Sequence, residues 1–112
     1  MNVWHSDLGL DSKQVLVGVR GRLDQSLTPQ LEAELRDLLS SGYYHLVVDL
    51  SEVSYINSGG LRCLVAAWRQ ARQQRGDVVL CGLGPRLNEI FAMIGFDKVF
   101  RIYPTCQAAV QT

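Results

Sequence analysis

Apolar residues along this chain follow two alternating rhythms, a dense run of a few residues and a sparser helical spacing, with polar or glycine-rich breaks between them. Trp4 to Leu8 and Val15 to Arg20 read as strands. Gly9, Asp11 and Ser12 between them supply turn chemistry, which predicts an antiparallel hairpin. Gly21 to Asp24 leads into Ser26-Leu27-Thr28-Pro29, where Thr28 is the expected helix cap and Pro29, with no N–H to lose, suits the first turn. Leu31, Leu35, Leu38 and Leu39 then recur at helical spacing, and Gly42 marks the exit.

His45 to Leu50 is a nearly continuous apolar run, the pattern of a strand covered on both faces. A short polar connection follows, and Ser58-Gly59-Gly60 opens a second helix with Leu61, Leu64, Val65 and Trp68 as its expected buried stripe. Arg62, Arg69 and Arg72 fall largely elsewhere on that helix. Asp77 to Cys81 reads as a strand. Gly84-Pro85 starts a third helix with Leu87, Ile90, Phe91 and Ile94 facing inward, and Gly95 ends it. Lys98 to Ile102 is expected as a last short strand and Thr105 to Val110 as a marginal terminal helix. Strands alternating with helices after an initial hairpin predict an α/β fold with a mixed sheet.

The 112 residues are expected to form one domain, residues 1–112, burying roughly two-thirds of the surface of the unfolded chain. Lys plus Arg and Asp plus Glu both number 11, so no global field draws in nucleic acid or an anionic membrane. Arg69, Arg72 and Arg75 make a local basic stretch, but aromatics do not interleave with it as a nucleic-acid platform requires, and a solvated face is expected. No run approaches the ~20 apolar residues of a membrane span, and the first ten residues lack an apolar signal core, which predicts a cytoplasmic protein. Cys63, Cys81 and Cys106 are odd in number and widely spaced, without Cys-x-x-Cys metal spacing, and read as small side chains in a reducing compartment.

The chemistry concentrates at Ser58. A serine at or next to a helix N-terminus lies beside unpaired N–H groups and the positive end of the helix dipole, where an added phosphate is well housed. Serving as a plain N-cap is the simpler role. A nucleophile elbow needs Gly two residues before the serine, and Ile56 stands there. His5 and His45 have no suggestively placed acid, so catalysis is not expected. Neither a P-loop nor a dinucleotide fingerprint is present, and no cofactor or metal is expected.

Asn57-Ser58-Gly59-Gly60-Leu61, preceded by Val48-Asp49-Leu50-Ser51, resembles the switch region of the STAS domain family, especially its bacterial anti-sigma factor antagonists. Gly21-Arg22-Leu23-Asp24, Val78-Val79-Leu80-Cys81-Gly82 and Ile94-Gly95-Phe96 extend the resemblance over nearly the whole chain. It implies a STAS-like sheet with helices mainly on one side and the switch turn exposed at its end. Three residues depart from the usual pattern: Asn57 replaces Asp, Gly59 a hydroxyl residue and Arg62 a Gly. Asn57 removes a carboxylate beside the target, Gly59 leaves Ser58 as the one hydroxyl of the turn, and together Asn57 and Arg62 make it more positive.

By the same resemblance, the unphosphorylated domain binds an anti-sigma factor of the serine-kinase type, phosphorylation of Ser58 breaks the complex, and a serine phosphatase restores it. Asp24 then helps contact the kinase, with Asn57, Gly59, Gly60, Leu61 and Arg62 on the partner surface, and helical spacing, which keeps Trp68 in the core stripe, leaves Met93 for that surface too. The alternative is a non-switching STAS subunit of a larger assembly, such as the accessory protein of a lipid-transport ABC complex, toward which the Gly59-Gly60 pair leans.

Overall fold

The computed structural model describes residues 2–8 and 14–110. Strands β1 (Val3–Asp7) and β2 (Gln14–Leu23) pair antiparallel, so the expected hairpin is present, although the turn placed at Gly9, Asp11 and Ser12 lies outside the described residues. Helix α1 (Thr28–Ser40), strand β3 (His45–Ile56), helix α2 (Ser58–Gln73), strand β4 (Asp77–Cys81) and helix α3 (Pro85–Met93) follow. A 3-10 turn at Phe96–Lys98, strand β5 (Ile102–Tyr103) and helix α4 (Cys106–Val110) complete the chain. The sheet runs β1-β2-β3-β4-β5, with every pair after the hairpin parallel.

The alternation of strand side chains divides the core in two. Val15, Val17, Val19, Leu46, Val48, Leu50, Val78 and Leu80 face one side, where they meet Leu31 and Leu35 of α1, Leu64 of α2 and Phe91 of α3. Val47, Val79 and Cys81 face the other, covered by Ala109 of α4. Among the described residues, three helices therefore pack on one side and one short helix on the other. This double cover explains why Leu46, Val47 and Val48 form an unbroken apolar run.

Local chemistry sets the helix ends. At the exit of α1, Gly42 takes φ 93°, its N–H bonds the Leu39 carbonyl at 3.2 Å and the Tyr43 N–H bonds that of Leu38 at 3.0 Å, closing a Schellman motif. Gly95, at φ 79°, ends α3 as expected, directly after the C-cap residue Ile94.

Four expectations change. Thr28 does not cap α1: a turn from Asp24 runs into the helix, with the Thr28 N–H on the Asp24 carbonyl at 2.9 Å, and Thr28 Oγ1 is buried without a partner. Ile94 is not on the buried stripe; beyond the end of α3 it is 46% exposed. The strand expected over 98–102 shrinks to Ile102–Tyr103, because residues from Phe96 form the 3-10 turn and Phe100 turns into the core. In α2 the sealed residues are Gly60, Cys63, Leu64, Ala67 and Ala71, while Leu61, Val65 and Trp68 are only partly covered, since small residues let α2 lie close to α1.

Candidate functional site

The site sits where two strands outrun the sheet. β4 pairs with β3 only as far as Asp49, whereas β2 and β3 remain paired to Leu23 and Ile56. Along this ribbon Gly18↔Asp49 is followed by Arg20↔Glu52, and Gly21↔Val53 by Arg22↔Tyr55, so β3 gains a residue at each step. The bulges put Val53 and Ile56 both inside although they are three residues apart. That spacing breaks the strand alternation, and the sequence accordingly reads as a polar connection rather than strand. Cross-strand contacts stiffen the ribbon: Arg20 pairs with Glu52 at 3.2 Å, and the Arg22 guanidinium lies 4.1 Å from the Tyr55 ring centre.

The ribbon ends on a backbone hydrogen bond from the Asn57 N–H to the Leu23 carbonyl, 3.1 Å long. Asp24 and Asn57, the residues after the last register pair Leu23↔Ile56, thus leave the sheet together, and Ser58 follows Asn57 into α2. Asp24 is committed to its own loop: its Oδ1 accepts from the Ser26 N–H at 3.0 Å, the Ser26 hydroxyl at 2.9 Å and the Leu27 N–H at 3.2 Å. The Ser26 hydroxyl, then the Ser26 and Leu27 amides, hold its carboxyl below the ordinary 3.8.

Asn57, rather than Ser58, caps α2. Its backbone is extended and its Oδ1 accepts the Gly60 N–H at 3.0 Å. Ser58 becomes the first helical residue, exposed, with its hydroxyl free of the capping role. Gly60 is buried, and a Cβ there would lie 2.8 Å from Ile56 Cγ1 and 3.3 Å from Leu23 Cβ, so the helix entrance rests directly on the end of the ribbon. Gly59 is less confined: its nearest neighbours would be Asn57 Oδ1 at 3.3 Å and Arg62 Nη2 at 3.9 Å.

The second distance locates Arg62. Its guanidinium folds back over the first turn of α2 and makes no ion pair among the described residues. Arg62 also stands with Ser58 on the rim of an open groove of about 810 Å³. Leu61, Val65 and Trp68 line one side of the groove, and Ile94, Phe96 and Val99 the other. Edge-on ring contacts fix both walls to the core, Phe91 to Phe96 at 6.1 Å on the far side and Trp68 to Phe100 at 6.2 Å on the near one. Met93, 80% exposed, precedes Ile94 outside the groove.

The structure thus gathers Ser58, Asn57, Gly59, Gly60, Leu61 and Arg62 at one helix entrance, and the Leu23 bond ties that entrance to the strand end from which the Asp24 loop departs. The groove's far wall was missed, although Ile94-Gly95-Phe96 is its corner. Helical spacing alone gives Ile94 to the core, and only the stop at Gly95 turns it outward. Neither histidine serves Ser58: His5 contacts Glu34 of α1, and His45 begins β3, at the far end of the strand from Ser58. Cys63 and Cys81 are buried as expected, and burial, with Glu32 adding to it, pushes the Cys63 thiol up to about 11. Cys106, half-buried, meets Cys81 across the fold, a contact that spacing in sequence does not reveal. No helix among the described residues is long and apolar enough to cross a membrane.

The chain has relatives among known proteins. BtrV of Bordetella bronchiseptica, to which anti-sigma factor antagonism is assigned, is 36% identical over 91 residues, 81% of this chain and 78% of its own. The anti-sigma-B factor antagonist of Bacillus subtilis is 28% identical over 111 residues, spanning 99% of this chain and all of its own. The crystal structure of an anti-sigma factor antagonist from Mycobacterium paratuberculosis superposes with a TM-score of 0.85 at 28% identity, covering 97% of this chain and 90% of that one. The family model described as the STAS domain matches residues 10–109, and the chain belongs to the STAS domain family.

Proposed function

We propose that this protein is an anti-sigma factor antagonist that works by partner switching and has no catalytic activity of its own. Unphosphorylated, it binds a serine-kinase-type anti-sigma factor and frees a sigma factor. The kinase then modifies Ser58 and leaves, and a serine phosphatase resets the site. The observation that carries this reading is an exposed serine, relieved of capping by Asn57, at the mouth of an apolar groove. Relatives whose names carry that function support it.

The physics is an asymmetry between free and bound states. A phosphate on Ser58 brings about −1.5 to −2 charges. In the free domain it meets the open N–H groups of α2, the positive helix end and the Arg62 guanidinium. In the complex the same charge must be desolvated at the groove mouth or face the partner's own acids. A loss of ~3 kcal/mol weakens a complex more than a hundredfold. Asn57, Gly59, Leu61 and Arg62 around the serine, with Asp24 in its own loop and Met93 beyond the groove, serve as partner contacts, Gly60 holds the entrance in place, and no membrane or nucleic acid takes part.

The non-switching alternative drew on the Gly59-Gly60 pair. Packing against Ile56 and Leu23 accounts for Gly60 under either reading, so the pair no longer favours an assembly subunit. Incubation with the cognate kinase and ATP, followed by mass-spectrometric mapping, tests the proposal: modification at Ser58 is expected, and modification mainly at Ser51 or Ser54 overturns it.

A further inference from the structure

The sheet face opposite the three-helix layer carries a cluster that the switch does not use. Asp49 of β3, Cys81 at the end of β4 and Cys106 at the start of α4 bring a carboxylate oxygen and two sulfurs within 4.8 Å of one another. The two Sγ atoms are 2.6 Å apart, although 25 residues separate them in the chain. Cys81 is fully buried, whereas Cys106 is open enough to meet a small reagent. We propose that Cys81 and Cys106 are a preformed dithiol pair that closes to an intramolecular disulfide, a covalent modification site separate from Ser58.

The spacing decides between the two chemistries open to such a cluster. Two thiolates bound to one tetrahedral zinc ion, with bonds of about 2.3 Å, stand roughly 3.8 Å apart, so a metal requires the pair to separate by about an ångström. A disulfide requires the sulfurs to close by only about half an ångström, to roughly 2.05 Å. Cys81 sits in a strand paired on both sides, which resists the larger movement.

A small organic disulfide, RSSR, is the oxidant. Cys106 loses its proton to water and its thiolate attacks one sulfur of RSSR; that S–S bond breaks, RS⁻ leaves, and a mixed disulfide forms on Cys106. Cys81, once deprotonated, attacks Cys106 Sγ and expels the second RS⁻ with its electron pair. The two cysteines are oxidised, RSSR is reduced, and the two protons end on the two RSH products. The new bond ties α4, only five residues long and held mainly by Ala109 and its neighbours, to the last residue of β4. Burial holds both thiols protonated, which slows spontaneous oxidation and leaves an added disulfide as the practical trigger.

The whole chain is incubated with oxidised glutathione at mildly alkaline pH, quenched with acid and unfolded in denaturant so that remaining thiols, buried Cys63 included, are alkylated, and intact mass and peptide maps are recorded. The expected product has lost two hydrogens, carries one alkyl group on Cys63, joins the Cys81 and Cys106 peptides, reverts with dithiothreitol and melts higher than the reduced protein. Cys63→Ser gives the same bond; Cys106→Ser, at a half-exposed position, does not. A stable glutathione adduct on Cys106 with Cys81 free, or a disulfide between molecules, overturns the proposal. So does one-to-one retention of Zn²⁺ that shields both thiols in the wild type but not in Asp49→Asn.

Discussion

The Asn57 N–H donates to the Leu23 carbonyl across 3.1 Å, and this bond joins the two loops of the candidate switch. Asn57 also caps α2 through its side chain, so one residue both ends the ribbon and starts the helix. Asn57→Ala removes only the side-chain bond and is expected to cost about 1 kcal/mol in urea unfolding. Asn57→Asp keeps the cap, adds a negative charge at the helix N-terminus, and is expected to match or exceed wild-type stability by up to ~1 kcal/mol. Equal losses for both variants would remove the capping role.

Gly59 and Gly60 are adjacent but not equivalent. Gly60→Ala drives a methyl into Ile56 and Leu23 and is expected to destabilise by about 1–3 kcal/mol. Gly59→Ala meets only the Asn57 amide oxygen at 3.3 Å and the movable Arg62 end, and the helix propensity of alanine, worth ~1 kcal/mol, offsets the adjustment. Thermal or denaturant unfolding of the two variants should therefore separate clearly, and equal effects would contradict the packing at the ribbon's end.

Asp24 makes stability depend on acid. Because its native carboxyl lies below 3.8, the unfolded chain takes up the proton first, so its contribution is complete above that value and disappears as pH falls through the lower native one. Asp24→Asn should be less stable than wild type at neutral pH, with the difference shrinking on acidification. A difference that stays constant with pH would show that the charge is not what the Ser26 and Leu27 donors stabilise.

Much of the fold is legible in the chain because its strands and helices keep their own periods. The hairpin, the three long helices and the doubly covered start of β3 all follow from apolar spacing and from Gly42, Pro29 and Gly95. What periodicity hides is set by partners distant in sequence. The second half of β3 escapes detection because paired bulges break its alternation, and Thr28 loses the cap because Asp24 begins the turn earlier. Ser58, Asn57 and the glycines are visible as a motif, but the division of labour between them is not. Which of two adjacent polar residues caps the helix depends on the extended backbone of Asn57, and the groove beside Ser58 exists only when Ile94 and Phe96 fold back toward α2.

Arg62 offers a test of how a phosphate would be held. With its guanidinium already folded toward the first turn, contact with phosphoserine 58 should contribute on the order of 1.5 to 3 kcal/mol before screening, and less where solvent reaches it. Phosphorylation should therefore stabilise the wild type more than Arg62→Gly. Glycine's own helix penalty is removed by comparing each protein with and without phosphate in a double-mutant cycle. An equal shift in both proteins would show that Arg62 does not hold the phosphate.

Met93 is 80% exposed and Ile94 46%, so Met93→Ala should leave stability within about 0.5 kcal/mol of wild type and Ile94→Ala should cost about 1 kcal/mol, while both weaken the anti-sigma complex. Unchanged affinity in both would move the docking surface away from the groove.

Calorimetric titration of the anti-sigma kinase with folded Ser58→Ala, Ser58→Asp and wild-type protein is the most direct measurement of the switch. Ser58 carries no cap bond, so Ser58→Ala should bind within a few-fold of wild type, whereas the charge of Ser58→Asp at the mouth of the groove should weaken binding at least tenfold, about 1.4 kcal/mol. Equal affinities for Ser58→Ala and Ser58→Asp would contradict partner switching at Ser58.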